Sequence, residues 1–276
     1  MIAHGGGRRR TRRSAARGLA KTALAAALGL PLAAALGLAL GACDTSPVVE
    51  PGSIGVVWTR GTDAASVSAP FFPDWRGDSI AFQYFDASGR NRLAVMHEDG
   101  TGVRFLPGGD PVADDRHPRW VNDTVLVFSS KQSGSSYDIW YRSLATGAVR
   151  RLTSLAAGGW DPVPQPGQPG LAYTEGTGSL AGRLAIIPDT AAVPLDRIFI
   201  TPPALGAGEP NWNPAGDRLC FSADSAGGSR HIWVASFAPG DTALTQITTG
   251  PFHDLNPRWS PDGTRIGFAS DRTGRS

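Results

Sequence analysis

Cysteine is nearly missing from this sequence, with only Cys43 and Cys220 among 276 residues. If Cys43 is acylated, as argued below, one thiol remains, no internal disulfide can form, and the fold must stand on packing. The common catalytic signatures are missing as well. No G-x-S-x-G, H-E-x-x-H or C-x-x-C occurs, which sets aside the usual serine-hydrolase elbow and the usual zinc sites. Charged residues make up only 18%, and the basic surplus is misleading. Seven of the 26 Lys and Arg fall in residues 1–42, which contain no acid, so the rest of the chain has nineteen basic against 24 acidic side chains, a net of −5. No basic cluster is left to neutralise phosphates, which excludes a nucleic-acid partner.

Glycine and proline are plentiful, at 35 and 22, and with modest charge they favour a turn-rich β protein large enough for a substantial core. The N-terminus reads differently. Arg8-Arg9-Arg10-Thr11-Arg12-Arg13 precedes an Ala/Leu-rich run from Ala23 to Leu40, the charged and apolar parts of an export signal. The run ends in Leu40-Gly41-Ala42-Cys43, which resembles a bacterial lipobox and implies that the Cys43 thiol takes a lipid and becomes the new N-terminus. The competing reading is an uncleaved anchor, since about 20 apolar residues span a bilayer, although Gly29, Pro31 and Gly37 weaken such a helix. Residues 1–42 are therefore expected to be a lipoprotein signal peptide, 43–53 a tether, and 54–276 the folded domain.

That domain repeats. Pro73-Asp74-Trp75, Pro118-Arg119-Trp120, Pro162-Val163-Pro164, Pro210-Asn211-Trp212 and Pro257-Arg258-Trp259 open five copies at intervals of 45, 44, 48 and 47 residues. Each copy continues with an aliphatic (Ile80, Leu126, Leu171, Leu219, Ile266) and, two residues on, an aromatic (Phe82, Phe128, Tyr173, Phe221, Phe268), the alternation of a packed strand. Eleven residues beyond the aromatic, Leu93, Ile139, Leu184 and Ile232 begin a third strand. A fourth is expected around 104–106, 151–153, 199–201 and 246–248. Four strands per copy at this period predict an all-β, β-propeller fold of four-stranded antiparallel blades, with about five repeats and the last incomplete. One hairpin cannot bury its own face, so stacked copies must share a core. Trp75, Trp120, Trp212 and Trp259 are expected in that core with the five aromatics, whereas Trp140, Trp160 and Trp233 are expected to be partly exposed.

The stretch Trp259 to Gly274, W-S-P-D-G-x-x-I-x-F-x-S-x-R-x-G, is similar to the WD40-like repeat of TolB-type β-propellers. The fourth copy matches well, the first two have shortened turns, and the third departs most, with Pro164 in place of Trp. The resemblance implies a non-catalytic, cofactor-free, monomeric platform in the bacterial cell envelope, facing periplasm or exterior, that binds a protein or peptide partner and meets the membrane through its N-terminal lipid. Related propellers also gate prolyl-oligopeptidase-type peptidases, so the propeller part of a truncated peptidase is one alternative.

The constant spacing of eleven puts the third strand of the fifth copy near position 279, past Ser276. Val57-Trp58-Thr59 resembles Ile139-Trp140-Tyr141 and Ile232-Trp233-Val234, so residues 54–68 are expected to close a five-bladed ring; six or more blades is the competing expectation.

For chemistry the candidates are few. Asp115 and Asp254 lie three residues before a blade-opening proline, beside His117 and His253, in expected loops where they ring a channel and take a cation or basic group, as in a channel-mouth hydrolase or lyase, or else cap backbone N–H groups. Gly176 to Ala181 nominally fits a dinucleotide pattern, but with no helix following it reads as a hairpin turn. Cys220 shares a slot with Ala81, Val127, Ala172 and Gly267 and reads as a buried core thiol.

Overall fold

The computed structural model describes residues 71–272 apart from 108–109, 133–135, 193–195, 226 and 239–240. Cys43, the expected tether and the expected closing segment 54–68 lie outside the described residues. The described chain runs as antiparallel sheets laid down in sequence order. β1 (Phe71–Arg76), β2 (Ser79–Phe85), β3 (Asn91–His97) and β4 (Arg104–Leu106) form the first. β5 (Asp114–Asn122), β6 (Val125–Lys131), β7 (Asp138–Ser143) and β8 (Val149–Arg151) form the second, and β9 (Gly159–Pro164), β10 (Leu171–Gly176), β11 (Gly182–Ile187) and β12 (Ile198–Phe199) the third. β13 (Gly208–Trp212), β14 (Arg218–Asp224), β15 (Arg230–Ala238) and β16 (Asp241–Gln246) form the fourth. The fifth has only β17 (Asp254–Trp259) and β18 (Ile266–Ser270) among the described residues. No helix among the described residues is long and apolar enough to cross a membrane.

Turn chemistry sets the hairpins. In the fifth sheet Asp262 Oδ1 accepts the Thr264 N–H at 3.0 Å while Gly263 takes φ +68°, a conformation that glycine adopts without a Cβ clash. Gly176 to Ala181 is a hairpin turn between β10 and β11, as expected. The core then forms between sheets. Leu93, Val95 and Leu106 of the first sheet pack on Trp120, Leu126 and Phe128 of the second. Val127 and Ile139 meet Tyr173 and Leu171 of the third, and Leu184 and Ile186 meet Trp212 and Phe221 of the fourth. Burying one such aromatic contributes about 1.5–3 kcal/mol, which no single blade collects alone.

Two aromatics expected in the core are exposed. Trp75 is 55% and Phe268 36% accessible, because each stands on an outer face of the series. Trp120 and Trp212 are covered by the sheet before theirs, donating Nε1–H to the carbonyls of Asp74 and Val163 at 3.1 and 3.2 Å. Trp75 has no described sheet before it and donates to its own Gly77 carbonyl at 3.0 Å. Trp259 is half-buried, and Phe82, Phe128, Tyr173 and Phe221 are buried. Trp140, Trp160 and Trp233 are partly exposed, as expected.

The fourth strands of the second to fourth sheets also begin earlier than expected. Their ladders stop at Arg151, Phe199 and Gln246, and the next residues turn back onto the third strand. Thr153, Thr201 and Thr248 each accept, through Oγ1, the backbone N–H of Ile139, Leu184 and Ile232 at 2.9, 2.9 and 3.0 Å. A threonine hydroxyl thus replaces one rung of the ladder.

Cys220 is fully buried, and burial pushes its thiol pKa up to about 12. In a Cys43→Ser variant, a thiol reagent at pH 8 should leave Cys220 unmodified until denaturant unfolds the chain. Rapid labelling of the folded protein would contradict that.

Candidate functional site

Every innermost strand carries the same irregularity. Against two residues on the neighbouring strand, each of β1, β5, β9, β13 and β17 spends three, a β-bulge at the residue before the blade-opening proline. Proline has no N–H to give the ladder, so a bulge is where it fits. The residues before it, Phe72, His117, Asp161, Glu209 and Asn256, all adopt positive φ, between +49° and +57°. Residues before proline ordinarily avoid helical conformations for extended ones, so this conformation has to be held by its surroundings.

The holding contacts run from blade to blade. The rings of Phe72 and His117 are 4.3 Å apart, and His117 donates its backbone N–H to Gln83 Oε1 at 2.9 Å. The His117 imidazole pairs with the Asp161 carboxylate of the next blade. Asn256 donates its N–H to Glu209 Oε2 at 2.8 Å. Burial works to raise the Asp161 pKa, but His117, Ser179 and Arg119 outweigh it and hold the carboxylate below its ordinary value.

Two residues further along each strand lies a second row. Asp74 Oδ2 accepts the Trp120 N–H at 2.7 Å, and Asn211 Oδ1 accepts the Trp259 N–H at 2.9 Å. The second-to-third junction has no such bond, since Pro164 lacks the donor and Arg119 lacks the acceptor. Arg119 turns back instead to Asp74 at 3.0 Å. The departure of the third copy at Pro164 is thus matched by its neighbour. Asp74, Arg119, Asn211, Trp75 and Trp212 surround an open cavity of about 230 Å³ where four innermost strands converge. Arg258 occupies the same slot in the fifth blade. Burial, then the positive charge of Arg119, lowers its pKa to about 10, so it stays protonated at neutral pH.

The four residues singled out from sequence lie in four different environments. Asp115 lies within β5 rather than a loop, is 4% exposed, and accepts a hydrogen bond from Ser130 Oγ at 2.5 Å. Burial raises its pKa to about 6, against the lowering influence of Ser130, Arg92 and Arg142. Asp254 is also within a strand, β17, and Arg272 grips both its oxygens at 2.9 and 3.0 Å. Enclosure works to raise its pKa, but Ser270, Thr248 and Arg272 bring it below the ordinary value. Neither carboxylate caps a backbone N–H among the hydrogen bonds of the described residues. His117 joins the bulge row. His253 is exposed, with its N–H on Asp271 at 2.8 Å and its Nδ1 accepting from the Arg230 N–H at 3.3 Å. No hydrogen bond or ion pair between described residues joins the Asp115/His117 pair to the His253/Asp254 pair, and no group of three metal-ligating side chains occurs among the described residues. The bulge row and the Asp74–Arg119 pair escaped the sequence reading. The recurring residue before each proline was the available signal, but its identity differs in every copy.

Sheets of four antiparallel strands, each packed on the next through its innermost strand, define a β-propeller. No family model and no curated protein sequence matches the chain. Solved structures do resemble it: a TolB-type protein of Agrobacterium tumefaciens at 17% identity over 70% of this chain (TM-score 0.54), TolB of Acinetobacter baumannii at 14% over 72% (0.54), and a puromycin-hydrolyzing peptidase of Mycobacterium tuberculosis at 18% over 74% (0.55). The chain spans 71%, 48% and 35% of those three chains. The fold is that of the TolB-like β-propellers.

Proposed function

We propose that this chain is a non-catalytic envelope lipoprotein, anchored through Cys43, whose propeller is a binding platform for a protein or peptide. The observation that supports this most is the mouth of the 230 Å³ cavity, where the half-exposed Trp75 stands beside the Asp74–Arg119 pair and Asn211. An aromatic surface beside a few convergent polar groups is the composition of a recognition site. Asp115, Asp254 and His117 are each committed to a partner within the fold, which leaves binding better supported than proton transfer.

The test is site-specific photocrosslinking in intact envelopes. A photoreactive residue at position 75 should give a discrete adduct that Arg119→Glu abolishes, while the same residue at position 146, in the exposed β7–β8 turn, should give none. No adduct at 75, or equal adducts at both positions, would overturn the platform. For the anchor, labelled palmitate should enter the wild-type chain and not Cys43→Ser.

A second reading is favoured by one observation, the likeness to a peptidase of which this chain spans 35%. There the propeller would gate a hydrolase domain encoded elsewhere in the gene, and sequencing past Ser276 decides for or against it.

A further inference from the structure

We propose that the cavity mouth beside Trp75 recognises its peptide partner through a carboxylate, held by Arg119 and Arg258 where the innermost strands converge. This deepens the platform reading above and rests on it.

The hydrogen-bonding inventory of the mouth is one-sided. The position after each blade-opening proline holds Asp74, Arg119, Val163, Asn211 and Arg258, one from each blade. The side-chain oxygens among them are already in use. Asp74 Oδ1 accepts from Arg119 at 3.0 Å, Asp74 Oδ2 from the Trp120 N–H at 2.7 Å, and Asn211 Oδ1 from the Trp259 N–H at 2.9 Å. The indole N–H groups of Trp75, Trp120 and Trp212 go to backbone carbonyls. Donors are left over. Among the hydrogen bonds of the described residues, Asn211 Nδ2 makes none, Arg119 uses only Nη1, and Arg258 gives one N–H to the Pro257 carbonyl at 2.8 Å. A ligand that fits such a surface brings acceptors, and a carboxylate brings about four lone-pair sites on two atoms.

Charge points the same way. Arg119 is paired with Asp74, and Arg76 at the rim with Asp123 at 2.7 Å. Arg258 is half-buried and makes no ion pair among the described residues. The acids that influence it, Glu209 and Asp161, belong to the bulge row and are engaged there. Glu209 Oε2 accepts from the Ser222 hydroxyl and the Asn256 N–H, both at 2.8 Å, and Asp161 pairs with His117. Arg119 acts on Arg258 more strongly than either acid does, so the two guanidinium groups stand within electrostatic reach of each other. An enclosed cation whose strongest charged neighbour is another cation gains from an anion between them. Beside this pair Trp75, 55% exposed, and the rings of Pro164 and Pro166 offer apolar surface to the residues that carry the carboxylate.

The test is photolabelling of the full-length chain with Cys43→Ser by three short probes. The first is N-acetyl-benzoylphenylalanyl-prolyl-alanine with a free C-terminal carboxylate, and the second is its C-terminal amide. The third is N-acetyl-benzoylphenylalanyl-prolyl-aspartyl amide, which carries its carboxylate on a side chain. Label at the mouth, mapped by mass spectrometry, should reach half-saturation at about tenfold lower concentration for a carboxylate probe than for the neutral amide, as one charge-assisted hydrogen bond gives. The tighter of the two acids tells a chain terminus from an acidic side chain. Arg258→Gln should erase the preference, and Arg258→Lys, which keeps the charge, should retain part of it. Equal labelling by acid and amide, labelling away from the mouth, no labelling, or a preference unchanged in Arg258→Gln would each overturn the proposal. The comparison of acid with amide in the parent chain does not depend on how any variant at 258 folds. An envelope adduct at position 75 without a carboxylate preference sinks this inference and leaves the platform; a preference without that adduct sinks the platform and leaves the carboxylate site.

Discussion

Replacing Asp115 by Asn should make the protein more stable at pH 8 by up to about 3 kcal/mol and change little at pH 4. The carboxyl is 4% exposed, and its pKa is raised to about 6 by burial. A raised carboxylate pKa means the fold prefers the neutral acid. The penalty is absent below the unfolded value near 4, grows as pH rises from about 4 to about 6, and is complete above that. Arg92 and Arg142 face the group and ease its ionisation, while Asp114 opposes it. Asn keeps an oxygen for the Ser130 hydroxyl and has no charge to bury. Denaturant unfolding from pH 4 to 8 measures the difference between variant and wild type. A difference that does not depend on pH would show that Asp115 is ionised at little cost.

The second large effect has the opposite pH sign. His117→Asn should destabilise the protein by about 3 kcal/mol or more at neutral pH, because it leaves the enclosed Asp161 carboxylate without its partner. Asparagine is chosen because it tolerates the left-handed backbone at φ +53°, so the loss reads the His117–Asp161 contact rather than new strain. The Asp161 pKa lies below its ordinary value, so its contribution is present above the unfolded pKa and is lost as pH falls through the folded one. Wild type should therefore lose stability on acidification more steeply than the variant. A double-mutant cycle with Asp161→Asn isolates the pair, with a coupling of roughly 1–3 kcal/mol expected. A coupling near zero would mean that the two blades are joined by apolar packing alone.

These two residues show how far the sequence could be read. Both carry strong chemistry, and both stood out as acid and histidine before a repeated proline. Their partners did not stand out. Ser130 is fifteen residues from Asp115, and Asp161 is 44 residues from His117 on another blade, a neighbour assigned only when sheets stack. Placing Asp115 and Asp254 in loops was an error of one bulge, since three residues on the innermost strand do the work of two and draw the segment into the ladder.

Repetition by itself determined the blades. A fixed spacing of eleven between the second-strand aromatic and the third strand, and alternation on either side, specify strands and hairpins locally, since backbone period and turn residues are local properties. Only the tertiary structure decided which tryptophans are covered. Trp75 and Trp212 sit in the same motif, yet Trp212 lies against Val163 of the preceding sheet and Trp75 has no described sheet before it. Burial belongs to the neighbour as much as to the residue, and a neighbour some 45 residues away is set by stacking, which no local pattern encodes.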